Sequence, residues 1–475
     1  MSFRTAILSG CLLAFALSFG ARNGCAQEEP QEPIDTQPKP AARTYPIPII
    51  DSGNPQDENS VQDTTNGLQP DMTPLTGVQN ATLGSPEIRH SYWVPGFQYA
   101  STGYSQPNST GWFADNYLIA NVSLLKVWSR SQLALNYSGG GFFSTYSPPG
   151  SVEQLAFAQN FQWNRLNVQI LDQFSYLPES QFGFGGGTNL GIAGIAGSLG
   201  PSLPGLGPSS VPNQSIQTSI GARYSNTPII QASYQTSPRG SITAWGSYQI
   251  LSFVEPGYIN SNAAIGGLGY NYLVSREDTI GILYRFSSYQ YPGQPQAYGD
   301  NIVNLAYSRK VTGRLALQLY GGAEFTTFRV PIGTESSRIG SSASANLTYG
   351  FEKSSLFAGY LHGLTNGSGV ITGSIVDQVT FRATQNLGRV WSAYAYLNYA
   401  HNKTVANSTR ASSPTYNTWF VGAGLNRPFG RNVNFGISYT ANINNQSGCS
   451  GTSCSTNQNS ITLNLQWHTS PFVLP

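Results

Sequence analysis

Side chains able to do chemistry are scarce in this sequence. Four histidines (His90, His362, His401, His468) and four cysteines stand among 475 residues. His362 lies in GYLHGLTNGSG and His401 in YAHNKT, with Asn366, Ser368 and Asn402 close by in sequence. A hydrolytic site would need a nucleophile or activated water, an aligned histidine, and an acid or amide to orient it. No spacing here holds three such groups together, so no catalytic residue is expected. Cys449 and Cys454, in CSGTSC, have no histidine near them. A zinc site wants more ligands than two thiolates, and neither a metal nor a cofactor is expected. In an oxidising compartment this pair suits a disulfide pinning a loop. GFGGG and GGLG precede no helical pattern, and no GK[ST] occurs, so neither is a phosphate loop.

The elements that must carry these residues are signalled by composition first. Only 10% of residues are charged, against about 25% in an ordinary soluble protein. Gly (52), Tyr (27) and Phe (23) are abundant. Low charge with many aromatics suits an outer surface that meets lipid, and it offers no basic patch to a nucleic acid. The net charge of +2 is unevenly spread. Gln27 to His90 holds ten acidic and three basic residues; Ser91 to Pro475 holds twelve acidic and nineteen basic. Two regions with different jobs are implied.

Residues 1–26 read as a signal peptide: Arg4, an apolar run from Thr5 to Ala21, and small residues in Gly24-Cys25-Ala26 before the cleavage point. Leu8-Ser9-Gly10-Cys11 matches a lipobox, but too few apolar residues precede Cys11, and the apolar run continues past it. Residues 27–90 hold ten of the 29 prolines, lack apolar periodicity, and read as a disordered acidic tail on the periplasmic side. A plugging or partner-binding segment is the sharper alternative. No later run approaches the 18 apolar residues of a membrane helix, so a bilayer would have to be crossed by a closed barrel.

From Ser91 the pattern alternates at period two, the signature of strands with two different faces. Leu315, Leu317, Leu319, Gly321, Ala323 and Phe325 share one face; Ala316, Gln318, Tyr320, Gly322 and Glu324 share the other. ITLNLQW, VNFGISYT and VWSAYAYLNYA repeat the arrangement. Basic residues punctuate it at Arg130, Arg165, Arg239, Arg276, Arg314, Lys353, Arg389 and Arg431. Their spacings are 35, 74, 37, 38, 39, 36 and 42, an internal repeat near 37 residues. Each repeat is two strands, one short basic turn and one longer polar loop. The doubled spacing marks a Gly-rich insertion, Glu179 to Asn213, which either folds into the barrel or lies over it as a lid. Seventeen strands fall between 116 and 469. SYWVPGFQYAS, residues 91–101, supplies an eighteenth, with Pro95 its weak point; sixteen is the alternative count.

Residues 91–470 thus resemble the bacterial outer-membrane β-barrel proteins of the porin-like kind. The points of likeness are a signal peptide, alternating strands, short turns on one side and long loops on the other, and a last strand ending at Trp467. The resemblance implies an all-β, antiparallel up-and-down transmembrane barrel with its N-terminal tail and C-terminus in the periplasm. Outer-membrane lipid and the barrel-insertion machinery would be its partners, and a homotrimer stays open. HTSPFVLP after Trp467 departs from the family's terminal aromatic residue. The tail is too short for the plug domain of an energy-gated receptor. A channel for passive or weakly selective diffusion of small hydrophilic solutes is the expectation, and a sealed structural, adhesion or export barrel the alternative. By parity Arg285, Glu324 and Arg382 face the lumen, as a charged constriction or as a paired network. The basic turns would line the periplasmic rim against lipid phosphates, or dock the acidic tail. His362 and His401 would lie near the outer rim.

Overall fold

A computed structural model describes residues 75–77, 91–105, 111–145, 148–177, 222–312, 314–329, 336–367, 371–388, 390–405, 415–447 and 455–474. The expected signal peptide, residues 27–74 and 78–90 of the expected tail, the 179–213 insertion, Arg389, Ser368, Cys449 and Cys454 lie outside the described residues.

The strands run in chain order around one closed sheet. They are β1 (Ser91–Ser105), β2 (Trp112–Val127), β3 (Ser131–Ser144), β4 (Gly150–Gln162) and β5 (Leu166–Leu177). Next come β6 (Arg223–Asn226), β7 (Ile229–Gln235), β8 (Gly240–Phe253), β9 (Ser261–Leu273) and β10 (Asp278–Gln290). Then follow β11 (Ala297–Thr312), β12 (Leu315–Arg329), β13 (Ser336–Gly350), β14 (Ser354–Gly367) and β15 (Thr372–Leu387). The last are β16 (Trp391–Thr404), β17 (Thr415–Phe429), β18 (Val433–Gln446), β19 (Ser455–His468) and β20 (Phe472–Leu474).

These twenty segments make eighteen staves. β6 and β7 both pair with β5 and with β8, and so form one stave. It breaks at Thr227-Pro228, where proline has no N–H to give the ladder. β19 and β20 both pair with β1 and close the barrel. The expected count of eighteen is therefore the observed one.

The closing seam explains Pro95. β1 pairs with β19 from Gly96 to Tyr104 and with β20 from Ser91 to Trp93. Pro95 falls in the gap between them, and its carbonyl accepts from Thr469 N at 3.1 Å. A strand residue aims N–H and C=O at the same neighbour, so the missing N–H faces the one interruption in that ladder. HTSPFVLP does not trail off: Phe472 stacks on Trp93 with ring centroids 5.0 Å apart. The sheet thus runs on to Leu474, past residue 470 where the barrel was expected to end.

The alternation sorts side chains as lipid requires. Leu319, Phe325, Ile461, Leu463, Leu465 and Trp467 are exposed outward, while Ala316, Gln318, Glu324, Thr462 and Gln466 are buried inward. Both chain ends of the barrel, Ser91 and Leu474, lie at the end with the short turns. Aromatic belts bound the outward band. Trp128, Trp163, Phe351 and Phe429 are exposed next to the short turns, and Arg427 sits over Trp391 at 5.2 Å and Phe429 at 4.9 Å.

The opposite belt is made of tyrosines. Tyr99, Tyr284 and Tyr360 each donate to an Asn or Asp 17 residues on, at Asn116 (2.9 Å), Asn301 (2.7 Å) and Asp377 (2.8 Å). Tyr399 and Tyr439 likewise donate, 18 and 20 residues on, to Asn417 (3.1 Å) and Asn459 (2.8 Å). Trp391 and Tyr399 share the outward face eight residues apart on β16. That is about 26 Å along a strand and, at a tilt of about 40°, roughly 20 Å along the membrane normal. The belts thus bracket an apolar band of the order of the ~25 Å one of outer-membrane barrels.

Candidate functional site

The lumen is lined by the inward face, and a hairpin leaves the wall to enter it. β13 pairs with β12 over its whole length, but with β14 only from Ala343 to Gly350. Past His362, β14 parts from β13 and turns inward with the start of β15. Four contacts fix the hairpin there. Leu364 N donates to Glu324 Oε1 at 3.1 Å, across the width of β13. Asn366 Nδ2 donates to Gln249 Oε1 on β8 at 3.1 Å. The Tyr291 hydroxyl donates to the Asn366 carbonyl at 2.9 Å, and Thr372 Oγ1 donates to Gln296 Oε1 at 2.7 Å. Gly373 turns the chain at φ 65°; a Cβ there would meet the Tyr298 ring at 3.2 Å. Leu364 packs with Tyr289, Tyr291, Tyr298 and Ala263. Burial raises the Tyr291 phenol well above its ordinary value, so its hydroxyl keeps the proton it donates.

A charged group lies directly beneath. Arg285 on β10 and Glu324 on β12 both stand opposite Ile302 of β11, one on each side. Two residues further along β11 comes Asp300, diagonal to both. Arg285 Nη2 is 3.6 Å from Asp300 Oδ2, with side-chain exposures of 9% and 0%. Thr326 Oγ1 donates to Asp300 Oδ1 at 3.4 Å. Two of the three lumen charges expected from parity are thus neighbours. Arg382 is not with them: it stands on β15 between Phe357 and Tyr396. Asp300 takes the third place. The Gly and Pro content of YPGQPQAYGD reads as loop, yet β11 starts at Ala297 and Tyr298, Asp300, Ile302, Asn304 and Ala306 share its inward face.

The inner face mixes apolar and polar side chains. On β1 and β2 Val94, Ile119 and Leu125 are buried beside Gln98, Asp115 and Asn121. On β8 to β10 Trp245 and Ile265 are buried beside Thr243, Asn271 and Ser287.

One part of the expected tail is found inside. Leu75 and Thr76 are buried, and both bond to strands of the barrel. For residues 75–77 this replaces the expectation of a disordered periplasmic tail. No sequence signal marks them, since their partners lie up to 245 residues away.

The basic turns lie together. Arg130, Arg165, Arg239, Arg276, Arg314, Lys353 and Arg431 are exposed at the short-turn end. Among the described residues, His362 and His401 form no site with the amides near them in sequence. His362 and His401 face outward and flank Asp377, which stands opposite both. His362 Nδ1 is 2.8 Å from Asp377 Oδ1, and His401 Nδ1 is 2.7 Å from Asn417 Oδ1. Asn366 and Asn402 are buried on the lumen side, so the sheet itself separates the groups a hydrolytic site would need. Among the described residues no cluster of His, Cys, Asp and Glu could hold a metal ion.

No family model and no curated protein matches the chain. Solved structures similar to it include the following. The outer membrane protein OpdK of Pseudomonas aeruginosa is 10% identical, with TM-score 0.42, 80% of this chain covered and 99% of that one. OpdQ of the same organism is 8% identical, with TM-score 0.43 and coverage of 81% and 100%. OccAB3 of Acinetobacter baumannii is 7% identical, with TM-score 0.41 and coverage of 80% and 99%.

Proposed function

We propose that this chain is a narrow channel of the bacterial outer membrane, letting small hydrophilic solutes cross with weak selectivity. The observation that carries the reading is the buried Arg285–Asp300 pair with Glu324, inward-facing and bonded to the hairpin that turns into the lumen. A barrel of this strand number has room for a passage. Arg338 stands opposite Thr326 on the same inward face, so charges of both signs line this zone and selectivity is weak.

The short basic turns would face the periplasm, with both barrel ends there and the turn arginines against lipid phosphates. The closing stave, with Trp467 and Phe472 outward, is the element the barrel-insertion machinery would take up. Single-channel recording in a planar bilayer tests the reading. Discrete steps with weak ion selectivity are expected, and a homotrimer would show its steps in threes. Silence from a demonstrably folded barrel overturns it in favour of a sealed barrel, the second reading. The tight burial of the inner face along β1 and β2 and the presence of Leu75–Gly77 in the lumen favour that one.

A further inference from the structure

Leu75, Thr76 and Gly77 form a turn inside the barrel, and three side chains from three staves grip its main chain. Asn271 Oδ1 on β9 accepts from Thr76 N at 3.0 Å. Trp245 Nε1 on β8 donates to the Thr76 carbonyl at 3.2 Å. The Tyr320 hydroxyl on β12 donates to the Leu75 carbonyl at 2.8 Å. Asn271 is itself held, its Nδ2 donating to Thr243 Oγ1 at 3.2 Å, so its oxygen stays turned to Thr76.

The wall is shaped for this occupant. A Cβ at Gly269 would stand 2.4 Å from Thr76 Cβ, and one at Gly281 would stand 3.1 Å from Thr76 Cγ2. Thr76 is fully buried. All three bonds read peptide groups, one donor and two acceptors, and the two glycines admit one small side chain. This is how a protein binds a peptide by its backbone.

The place matters as much as the grip. Gly281 lies four residues below Arg285 on β10, and Tyr320 four below Glu324 on β12. Four residues are about 13 Å along a strand. The turn therefore sits between the short-turn end and the charged group, on the same wall. Thirteen residues, 78–90, connect Gly77 to Ser91, a reach of about 46 Å over the intervening steps when extended. The turn can leave its seat without unpicking β1. Its tether keeps it at high effective concentration, so it returns readily.

We propose that the lumen holds a backbone-reading peptide seat on β8, β9 and β12, filled by this chain's own Leu75–Gly77 turn, which closes the passage on the short-turn side. This rests on the channel reading, and the test separates the two. Thr76→Cys is placed in the full chain with Cys449→Ser and Cys454→Ser, and its labelling by a water-soluble maleimide is timed. The Thr76 hydroxyl has no hydrogen-bond partner, so the exchange loses none.

Slow labelling is expected, rising about tenfold or more when Gly269→Val fills the seat or Tyr320→Phe removes one buried bond. Tyr320→Phe is nearly isosteric and serves if Gly269→Val does not fold. Labelling as fast as at Asn164→Cys, in an exposed turn, overturns the seat. Conductance is then recorded for the same Gly269→Val and Tyr320→Phe changes in the chain that keeps Thr76. Larger or more frequent steps than wild type support closure. Unchanged steps with faster labelling overturn closure and leave the channel standing, whereas silence with faster labelling overturns both.

Discussion

Replacing Arg285 by methionine removes the cation paired with Asp300 and keeps the volume of the stem. Asp300 would then lie buried without that partner. At 3.6 Å and an effective dielectric constant near 20, a unit pair is worth about 4–5 kcal/mol. Breaking a buried pair from one side costs about 3–5 kcal/mol. The two figures agree, so R285M should unfold in urea with a stability lower by about that much. The double variant R285M/D300N, with no charge left unpaired, should recover most of the loss.

Selectivity gives an independent reading. A buried carboxylate left without its partner takes up a proton rather than stay charged, so Asp300 loses its charge together with Arg285 and the zone keeps its net charge. The cation-to-anion permeability ratio should therefore stay near wild type, measured as the reversal potential across a salt gradient. An R285M barrel with wild-type stability would refute the burial of the pair, and a large shift in reversal potential would refute the neutralisation of Asp300.

Three further changes probe other contacts. Glu324→Ala removes the acceptor of Leu364 N, at about 1–3 kcal/mol for a buried unmet donor; the freed hairpin should give larger or noisier conductance steps, while Glu324→Gln keeps them near wild type. Phe472→Ala removes the ring on Trp93, worth about 0.5–1.5 kcal/mol beyond its area, and the seam should open first in hydrogen exchange at Ser91–Trp93. Orientation is read by a broad-specificity protease on intact cells: cleavage is expected in the 446–460 connection and not at the Lys353 turn, and the reverse pattern inverts the assignment.

Legibility followed the range of the interaction. Leu315 to Phe325 alternates because neighbouring strand residues point to opposite faces, a rule needing only the local chain, and the faces came out as lipid and lumen demand. The near-37-residue beat of basic turns set the hairpin count just as locally, and Pro95 needed only one interruption in a neighbouring ladder. Asp300 was lost because the Gly and Pro content of YPGQPQAYGD reads as loop, while the pairing of Tyr298 and Gly299 with β10 and β12 extends the strand through it. The tyrosine belt had a visible trace, an Asn or Asp 17 residues after Tyr99, Tyr284 and Tyr360, but only the antiparallel register turns that interval into a diagonal contact.

What the sequence alone determined is the barrel: its strand number, which side of each strand meets lipid, and which connections share an end. Those follow from period-two patterning and turn spacing, both properties of short windows. The tertiary structure decided what fills the lumen. Arg285 meets Asp300 rather than Arg382 because stave heights add up around the closed sheet, and no single strand records that sum. The 363–375 hairpin turns inward because β13 and β14 stop pairing at Ala343, leaving Leu364 N to find Glu324 across the gap. Thr76 reaches Trp245, Asn271 and Tyr320 only after β8, β9 and β12 have been brought together, and its seat exists only in the closed barrel.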